Sequence, residues 1–369
     1  MSKRVILFGP LPPPYGGVSV LLTTLLGHLK NSSILVWVLF GTDSSDSRIT
    51  RFNHRRLGVV KALARQGYKS RIVDFTHFHL EYPNSILLPI WLFAKSVLRF
   101  EWIKYILDGS LPQRYASFTT AKKRRFQNAI ASIDEFIVVS EKLRDWLINE
   151  VRVTKPITVI PCLMNIPAEL LETKLSPTTQ TVFDRFLQHE KRICSIGTFI
   201  PSYGFEHVAE AVEQLRNVTK EDIGLLLLNG SFAEDLTYRE RVLKGRDWIT
   251  VLTNIPNPDI YQIMPRCHLF VRAAEAEGYG ISRVEAIWCG TPVIAVDVGE
   301  TRGMLTYKFG DVEMLSQLIG EVLSGRNKPE LTSWANLFHA EADENLRRFV
   351  ETVQIENPAE VLDSVEVRA

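Results

Sequence analysis

Two glutamates eight positions apart are the residues of this chain most suited to chemistry. Glu277 lies in a glycine-bearing loop, and Glu285 lies in the first turn of the helix predicted to follow it. A loop that leads into a helix points backbone N–H groups and the positive end of a helix dipole at an anion. Carboxylates beside it can accept hydrogen bonds from hydroxyls, and a nucleotide sugar offers both kinds of group. The alternative is that Glu285 only caps its helix and that Glu277 is a solvated loop acid.

The elements that must position these glutamates run from His268 to Gly299. An apolar strand is predicted over His268–Arg272 and a second over Pro292–Val296, with a short helix between them. Ser282 and Glu285 have the spacing of a capping box, so the helix is predicted to begin at Ser282. Gly290 and Pro292 follow as stop signals. The pattern is strand, loop, helix, strand.

The stretch EGYGISRVEAIWCGTPVIA, residues 277–295, resembles the donor-site signature of retaining glycosyltransferases with the GT-B fold, specifically glycosyltransferase family 4. The resemblance is nearly unbroken over this stretch, and weaker similarity extends over most of the chain. It implies that Glu277 contacts the transferred sugar and that Glu285 binds the ribose hydroxyls. The residues that it implies for the turn at the donor are Gly278, Tyr279, Gly280 and Ile281.

The beginning of the chain reads as a nucleotide-binding α/β unit. The apolar run Val5–Phe8 predicts a buried parallel strand, and an apolar helical pattern begins at Val18. The loop between them lacks the G-x-G-x-x-G spacing, which disfavours a dehydrogenase. Gly16 and Gly17 match the Gly-Gly turn of the family, where the backbone approaches the donor phosphate or the acceptor. The alternative is a tight turn with no ligand.

A second candidate region follows the strand predicted over Ile72–Phe75, where the sequence reads THFHLEYP. His77 and His79 would then lie beyond the carboxyl end of a parallel strand, where open α/β sheets bind ligands. The stretch resembles the family's His-x-His-x-x-x-Pro pattern, which implies that His79 lies by the reacting carbon of the sugar. A zinc site is disfavoured because no further Cys or His lies near in sequence.

The family pattern fails at two positions. Most relatives carry an arginine after the glycine of the strand predicted over Arg192–Ile196, and a lysine a few residues on, and both hold the donor pyrophosphate. Here these positions are Thr198 and Tyr203. The loss of two charge-assisted contacts, of roughly 1.5–3 kcal/mol each, requires another cation.

Three arginines within or just beyond residues 268–299 are candidates for that cation. Arg272 ends a predicted strand, where it either pairs with a nearby glutamate or grips the donor phosphates with its planar fork. Arg302 lies beyond the next strand and is the second candidate. Arg283 is expected to point to solvent.

The charge of the chain is uneven. Residues 1–165 hold 23 Lys or Arg against 11 Asp or Glu, a net charge of +12, whereas residues 166–369 carry −11. A basic half suggests an anionic surface or substrate, here an anionic membrane or a lipid-linked acceptor rather than nucleic acid. Lys122–Arg125 and the segment Arg48–Arg71 are the candidates. The alternative is that these runs are only solvated faces.

Cysteine usage and hydropathy indicate a reduced, cytoplasmic protein, and the basic first half suggests contact with the inner face of the membrane. Val5–Phe8 is too short for a signal peptide, and charges interrupt the apolar window Ile86–Leu107. No paired spacing or metal-ligand spacing connects the four cysteines, which are Cys162, Cys194, Cys267 and Cys289.

Alternating strands and helices predict an α/β protein in which two doubly wound parallel-sheet, Rossmann-like domains face a cleft. The first domain is predicted over residues 1–165 and a linker over 166–190. The nucleotide-sugar-binding domain is predicted over 191–332. Residues 333–369 are predicted as a helix that crosses back to the first domain, followed by a tail.

The function that the resemblance implies is glycosyl transfer. A nucleotide-diphosphate sugar would donate its sugar, with retention and without a metal or other cofactor, to a glycan or lipid-linked acceptor in bacterial surface polysaccharide synthesis. Two alternatives stay open: a catalytically degenerate GT-B subunit that binds glycan or nucleotide, and a GT-B sugar-nucleotide epimerase.

Overall fold

The chain divides into two units, each built on one parallel sheet. The first unit contains residues 1–164 and 341–369, and the second contains residues 165–340. The computed structural model describes residues 3–13, 16–29, 32–38, 46–51, 65–76, 80, 87–161, 174–230, 234–327 and 329–355.

The first unit alternates strands and helices. Its described elements are β1 (Val5–Gly9), α1 (Gly17–His28), β2 (Leu35–Val38), β3 (Ile49–Arg51), β4 (Arg71–Asp74), α2 (Leu87–Leu98), β5 (Glu101–Ile106), α3 (Leu111–Ala116), α4 (Thr120–Ser132), β6 (Glu135–Val138), α5 (Glu141–Asn149) and β7 (Ile157–Val159). The seven strands form one sheet in the order β3-β2-β1-β4-β5-β6-β7, and every pair is parallel.

The second unit repeats the pattern. Its described elements are α6 (Pro177–Phe186), β8 (Lys191–Gly197), α7 (Phe205–Thr219), β9 (Ile223–Asn229), α8 (Leu236–Leu243), β10 (Ile249–Thr253), α9 (Asn257–Ile263), β11 (Leu269–Arg272), α10 (Ile281–Trp288), β12 (Val293–Val296), β13 (Leu305–Tyr307) and α11 (Val312–Leu323). Six parallel strands form the sheet β10-β9-β8-β11-β12-β13. A last helix, α12, spans Thr332–Val353.

Both sheets are doubly wound, because their strand order reverses in the middle. In the second sheet the reversal lies between β8 and β11, which pair with Val271 opposite Ser195. In the first sheet it lies between β1 and β4. Open α/β sheets bind ligands beyond the carboxyl ends of the strands at such a switch point. The predicted fold class of two parallel-sheet α/β domains is confirmed.

Each sheet is buried by the apolar runs from which its strands were predicted. All seven residues of β9, Ile223–Asn229, are buried, as expected for a strand that helices cover on both faces. In the first unit Phe349, on α12, lies 6.3 Å in ring-centroid distance from both Phe75 and Tyr105. The first unit therefore takes part of its core from the end of the described chain.

Helix α6 is one element that the sequence interpretation did not find, since it lies in the stretch assigned as a linker. Ser176 is its N-cap and accepts a hydrogen bond from the Thr179 N–H, and Pro177 follows in the first turn. Ser176 also donates to Asp259 at 3.0 Å, and the guanidinium of Arg266 lies 5.8 Å from the ring centre of Phe183. These contacts attach α6 to the second unit.

Candidate active site

Arg272 and Glu277 form a bidentate ion pair at the switch point of the second sheet. The Nε of Arg272 donates to Glu277 Oε2 at 2.7 Å, and Nη2 donates to Oε1 at 3.2 Å. The third nitrogen, Nη1, donates to the carbonyl oxygen of Ile196 at 2.6 Å. Because Arg272 ends β11 and Ile196 lies near the end of β8, the guanidinium bridges the two strands where the winding reverses. The predicted pairing of Arg272 with a nearby glutamate is therefore present.

The same guanidinium lies where the family's two cations are missing. Its Cζ is 4.9 Å from the centre of the Tyr203 ring, a cation–π distance. Ile196, which accepts its hydrogen bond, stands two residues before Thr198, and Thr198 is buried. Arg272 thus brings a positive charge from β11 to the neighbourhood of Thr198 and Tyr203. Arg272 was a predicted candidate to replace those cations, and the fold brings it to them across 69 or more residues of the chain.

Two glycines allow this packing. A Cβ on Gly197 would stand 2.6 Å from Cδ1 of Tyr203, and a Cβ on Gly204 would stand 2.4 Å from the carbonyl oxygen of Ala273. Gly204 also has a φ of +67° and is the N-cap of α7. Larger residues would push β8, β11 and the start of α7 apart.

The turn that joins Glu277 to α10 is closed by backbone contacts. Gly280 has a φ of +93° and is the N-cap of α10, and a Cβ there would stand 2.9 Å from Cδ of Arg283. The Glu300 N–H donates to the carbonyl oxygen of Tyr279 at 2.8 Å, and Tyr279 is buried. The backbone therefore reaches the start of α10 through a conformation that favours glycine.

The predicted start of α10 at Ser282 is wrong by one residue, and so is the capping box. The helix begins at Ile281, and its N-cap, Gly280, has no side chain with which to cap it. The predicted end is confirmed. Gly290 has a φ of +74°, its N–H donates to the Ile287 carbonyl, and the Thr291 N–H donates to the Ala286 carbonyl, which is the Schellman pattern.

Glu285 points into the second unit and not back along its own helix. Its Oε1 accepts a hydrogen bond from the Tyr261 hydroxyl at 2.8 Å, and that hydroxyl accepts one from Nδ2 of Asn257 at 2.6 Å. The side chain is buried, and burial raises its pKa from 4.5 to about 7, while the Tyr261 hydrogen bond opposes the rise. Glu285 is thus a carboxyl group that changes charge near neutral pH, on a helix held by α9.

Arg283 is fully buried, so the expectation that it points to solvent is wrong. Its Nη1 donates to the carbonyl oxygens of Val298 and Glu300, whereas Nε and Nη2 have no hydrogen-bond partner among the described residues. Burial lowers its pKa to about 10, and the charge of Glu277 opposes that change. Arg283 therefore adds a positive charge, after that of Arg272, near Glu277. Its hydrogen bonds also connect the start of α10 to residues 298–300.

Arg302 occupies a different environment from Arg272. Its side chain is exposed, and it forms a bidentate pair with Glu300, with Nε–Oε1 and Nη2–Oε2 distances of 3.0 and 2.6 Å. Its Cζ also lies 5.3 Å from the ring centre of Phe338. Of the two predicted phosphate-binding arginines, Arg272 is the one at the strand switch point.

In the first unit, Gly16 and Gly17 begin α1 at the carboxyl end of β1. Gly16 is extended, with a φ of −158°, and its N–H donates to the Ser19 hydroxyl at 3.0 Å. No described residue has an atom within 4 Å of a Cβ added at either glycine, so neither is required by packing within the described chain. The predicted candidates His77 and His79 lie outside the described residues.

The strand that leads to the two histidines ends in a buried ion pair. Asp74 accepts hydrogen bonds from the backbone and hydroxyl of Thr76 at 2.8 and 2.7 Å, and its Oδ2 lies 3.3 Å from Nζ of Lys104. Lys104 also donates to the carbonyl oxygens of Asp74 and Thr76. These contacts fix the backbone up to the residue before His77.

The cations predicted to meet an anionic surface differ in burial and in their contacts within the protein. Arg71 is buried and paired with Glu101 and Glu135, and Arg48 pairs with Asp46. The positive charge of each is therefore neutralised within the protein. On α4, Lys122 lies 3.8 Å from the ring centre of Phe118 and Lys123 lies 5.3 Å from that of Tyr115. Arg124 and Arg125 are exposed.

Neither a metal site nor a membrane-spanning helix is present among the described residues. Among the described residues, no group of three or more His, Cys, Asp or Glu is arranged to hold a metal ion. In the same part of the chain, no helix is both long enough and apolar enough to cross a bilayer.

The two parallel-sheet units have the GT-B fold. The structure is similar to that of HepE from Anabaena in complex with UDP and glucose, with a TM-score of 0.72, 16% identity, and coverage of 95% of this chain and 100% of that one. Sucrose-phosphate synthase from Thermosynechococcus elongatus is similar with a TM-score of 0.66, 17% identity, and coverage of 99% and 98%. WaaG, a glycosyltransferase involved in lipopolysaccharide biosynthesis, is similar with a TM-score of 0.63 and 14% identity, and the comparison covers 98% of this chain and 98% of that one.

The family agrees with the fold. Residues 180–333, which make up most of the second unit, match the family described as glycosyl transferases group 1. The match contains Arg272, Glu277 and Glu285, and it ends in α12. No curated protein sequence matches the chain significantly.

Proposed function

We propose that this protein transfers a sugar, with retention of anomeric configuration, from a nucleotide-diphosphate sugar to a glycan or lipid-linked acceptor in bacterial surface polysaccharide synthesis. The observation that carries the proposal is the Arg272–Glu277 pair at the switch point, followed at once by the N-terminus of α10. An arginine fork, a helix N-terminus and a carboxylate are suited to a diphosphate joined to a polyhydroxylated sugar. The similar Anabaena structures contain UDP and glucose or UDP-glucose, which makes UDP-glucose the first donor to try.

Each residue has a role in this proposal. Arg272 binds the donor diphosphate in place of the cations absent at positions 198 and 203, and Arg302 is the second candidate for that role. The backbone of Gly278–Ile281 approaches the phosphates, where the dipole of α10 favours negative charge. Glu285 accepts hydrogen bonds from the ribose hydroxyls, and Glu277 contacts the transferred sugar.

The leaving diphosphate is stabilised by these fixed charges and dipoles, and no metal is required for the step. In the first unit, Gly16 and Gly17 let the backbone approach donor or acceptor, and His79 lies by the reacting carbon. We further propose that the protein is cytoplasmic and touches the anionic inner face of the membrane. The candidate cations for that contact are Lys122–Arg125 on α4, of which Arg124 and Arg125 are exposed.

The experiment is a transfer and donor-hydrolysis assay with UDP-, GDP- and dTDP-sugars, with and without EDTA. Glu285→Ala and His79→Ala should each abolish most turnover while the melting curve stays cooperative. Retention is read by NMR from the anomeric configuration of the product. Wild-type turnover in both variants would contradict this site, and loss of turnover in EDTA would contradict a metal-free step.

A second function keeps specific support. Thr198 and Tyr203 stand where the family has cations, and Arg272 is already engaged by Glu277 and Ile196. A degenerate subunit that binds a nucleotide or glycan without turning it over would have these features. Nucleotide binding by calorimetry without hydrolysis or transfer of any donor would select this reading.

A further inference from the structure

Helix α2, Leu87–Leu98, presents apolar side chains on two opposite faces. Its inner face contributes Trp91, which stacks on Phe8 at 5.4 Å and contacts Trp102 at 5.8 Å between ring centres. On its outer face, Phe93 is 71% exposed and Val97 is 56% exposed. Helices that are apolar all round are ordinarily covered on all sides. The outer face of α2 therefore exposes apolar side chains that burial against another surface would stabilise.

The exposed face continues beyond the helix. The Lys69 N–H donates to the carbonyl oxygen of Leu98 at 2.9 Å, which places Lys69 against the end of α2 next to Val97. Tyr68, its neighbour, is 59% exposed, and Nζ of Lys69 lies 5.3 Å from its ring centre. Phe93, Val97 and Tyr68 thus belong to one surface, which we call the α2 face.

The segments that form the α2 face carry an excess of positive charge, and the neighbouring Glu101, whose N–H donates to the carbonyl oxygen of Ser70, is paired with Lys3 and Arg71. Arg65, Lys69 and Arg99 are exposed, and neither residues 65–73 nor residues 87–100 contain an Asp or Glu. Lys95, the remaining cation of the helix, pairs with Asp134. Long basic side chains around exposed aromatic and aliphatic groups are the arrangement that enters the boundary between lipid headgroups and acyl chains.

We propose that the α2 face docks on an anionic lipid bilayer, with Phe93 and Val97 entering the interface and Arg65, Lys69 and Arg99 meeting lipid phosphates. A second copy of this chain is a poorer occupant, because a twofold contact would oppose the same cations to one another. The inference rests on the membrane contact named under the proposed function, but it assigns that contact to an apolar surface on α2 rather than to the cations of α4.

The test compares two double variants of the full chain. Phe93→Ser with Val97→Ser removes the apolar part of the α2 face. Val218→Ser with Leu236→Ser is the matched control, since these side chains are 81% and 73% exposed in the second unit. Sedimentation with phosphatidylcholine vesicles, with and without phosphatidylglycerol, measures the partition coefficient at low and high salt.

The wild type should bind the anionic vesicles, and binding should fall with salt. The α2 double variant should partition about tenfold or more weakly, because two apolar side chains no longer leave water. The control should bind like the wild type, and all three proteins should melt alike. Binding by the α2 variant equal to that of the wild type, or no vesicle binding by the wild type, would overturn the proposal.

Two further results separate this proposal from its neighbours. If Arg124→Gln with Arg125→Gln abolishes vesicle binding while the α2 variant binds normally, the protein binds the membrane through α4, and docking by the α2 face is overturned. A wild-type dimer in sedimentation velocity that the α2 variant loses would assign the face to a second copy and overturn lipid docking. Donor turnover, measured with soluble substrates, tests the proposed function separately.

Discussion

The Tyr261 hydroxyl donates a 2.8 Å hydrogen bond to Glu285 and thereby connects α9 to α10. Residues 24 apart are joined, so the orientation of the proposed ribose ligand depends on a helix outside the signature stretch. Because Asn257 donates a hydrogen bond to the Tyr261 hydroxyl, the Glu285 carboxyl group is positioned by two successive hydrogen bonds from α9. These hydrogen bonds set both the direction and the charge of Glu285.

Nucleoside binding is expected to strengthen as pH rises through about 7, the pKa to which burial raises Glu285. The ionised carboxylate is the better acceptor for ribose hydroxyls. Tyr261→Phe removes a hydrogen bond that favours the charged form, so it should move the midpoint of this profile upward by about one pH unit. Calorimetric titration from pH 5.5 to 8.5 provides the measurement.

Tyr238→Phe is the matched control for that profile. Tyr238 is also buried in the second unit, but its hydroxyl accepts a hydrogen bond from the Glu206 N–H instead. An unshifted profile in Tyr261→Phe, or an equal shift in Tyr238→Phe, would contradict the role of Tyr261.

The stability of the protein should fall between pH 4.5 and about 7 because of Glu285. The folded state binds this proton more tightly than the unfolded chain, whose ordinary pKa is 4.5, so raising the pH through this window favours unfolding. The loss is on the order of 3 kcal/mol for a fully buried group and is complete above the folded pKa. Glu285→Gln should flatten the profile, as measured by urea unfolding at a series of pH values. Parallel profiles for the two proteins would exclude Glu285 as the source.

Arg272→Lys should weaken binding of the nucleoside diphosphate about tenfold or more, because lysine keeps the charge but loses the fork. Binding of the matching nucleoside should change little. Arg302→Lys is the comparison, since Arg302 forms a similar bidentate pair at an exposed position. Equal weakening of both ligands by Arg272→Lys would exclude phosphate contact, and selective loss in Arg302→Lys would transfer the role to Arg302.

Gly280→Ala should destabilise the protein by more than backbone strain alone. Gly245 has a φ of +72° with no described atom within 4 Å of an added Cβ, whereas Gly280, at +93°, would place a Cβ 2.9 Å from Arg283. Gly245→Ala therefore measures the cost of the left-handed conformation. Gly280→Ala should exceed it by about 1–3 kcal/mol from overpacking. Similar losses in chemical denaturation would mean that Arg283 moves aside freely.

Local signals explain which parts of the fold could be predicted. The strands around Glu277 follow from short apolar runs, and the end of α10 follows from Gly290 and Pro292. Its start was misassigned, because Ser282 and Glu285 fit a capping box while Glu285 is drawn to Tyr261. Three-residue strands such as β3 and β13 are too short to give a periodic pattern.

The site followed the same division. The pairing of Arg272 with a nearby glutamate could be predicted from their order along the chain. The approach of Arg272 to Tyr203 and the burial of Arg283 depend on packing between distant segments. Ser176 and Pro177 did carry a helix-start signal, which was read as part of a linker instead.

Because residues 341–369 belong to the first unit, the two units receive their complete sequences in a fixed order during synthesis. Residues 165–340 are continuous, so the second unit has its whole sequence once residue 340 has left the ribosome. The first unit, although its strands are made earlier, lacks Phe349 against Phe75 and Tyr105 until the second unit has been synthesised. The half of the protein that is synthesised first is therefore the half whose core is completed last.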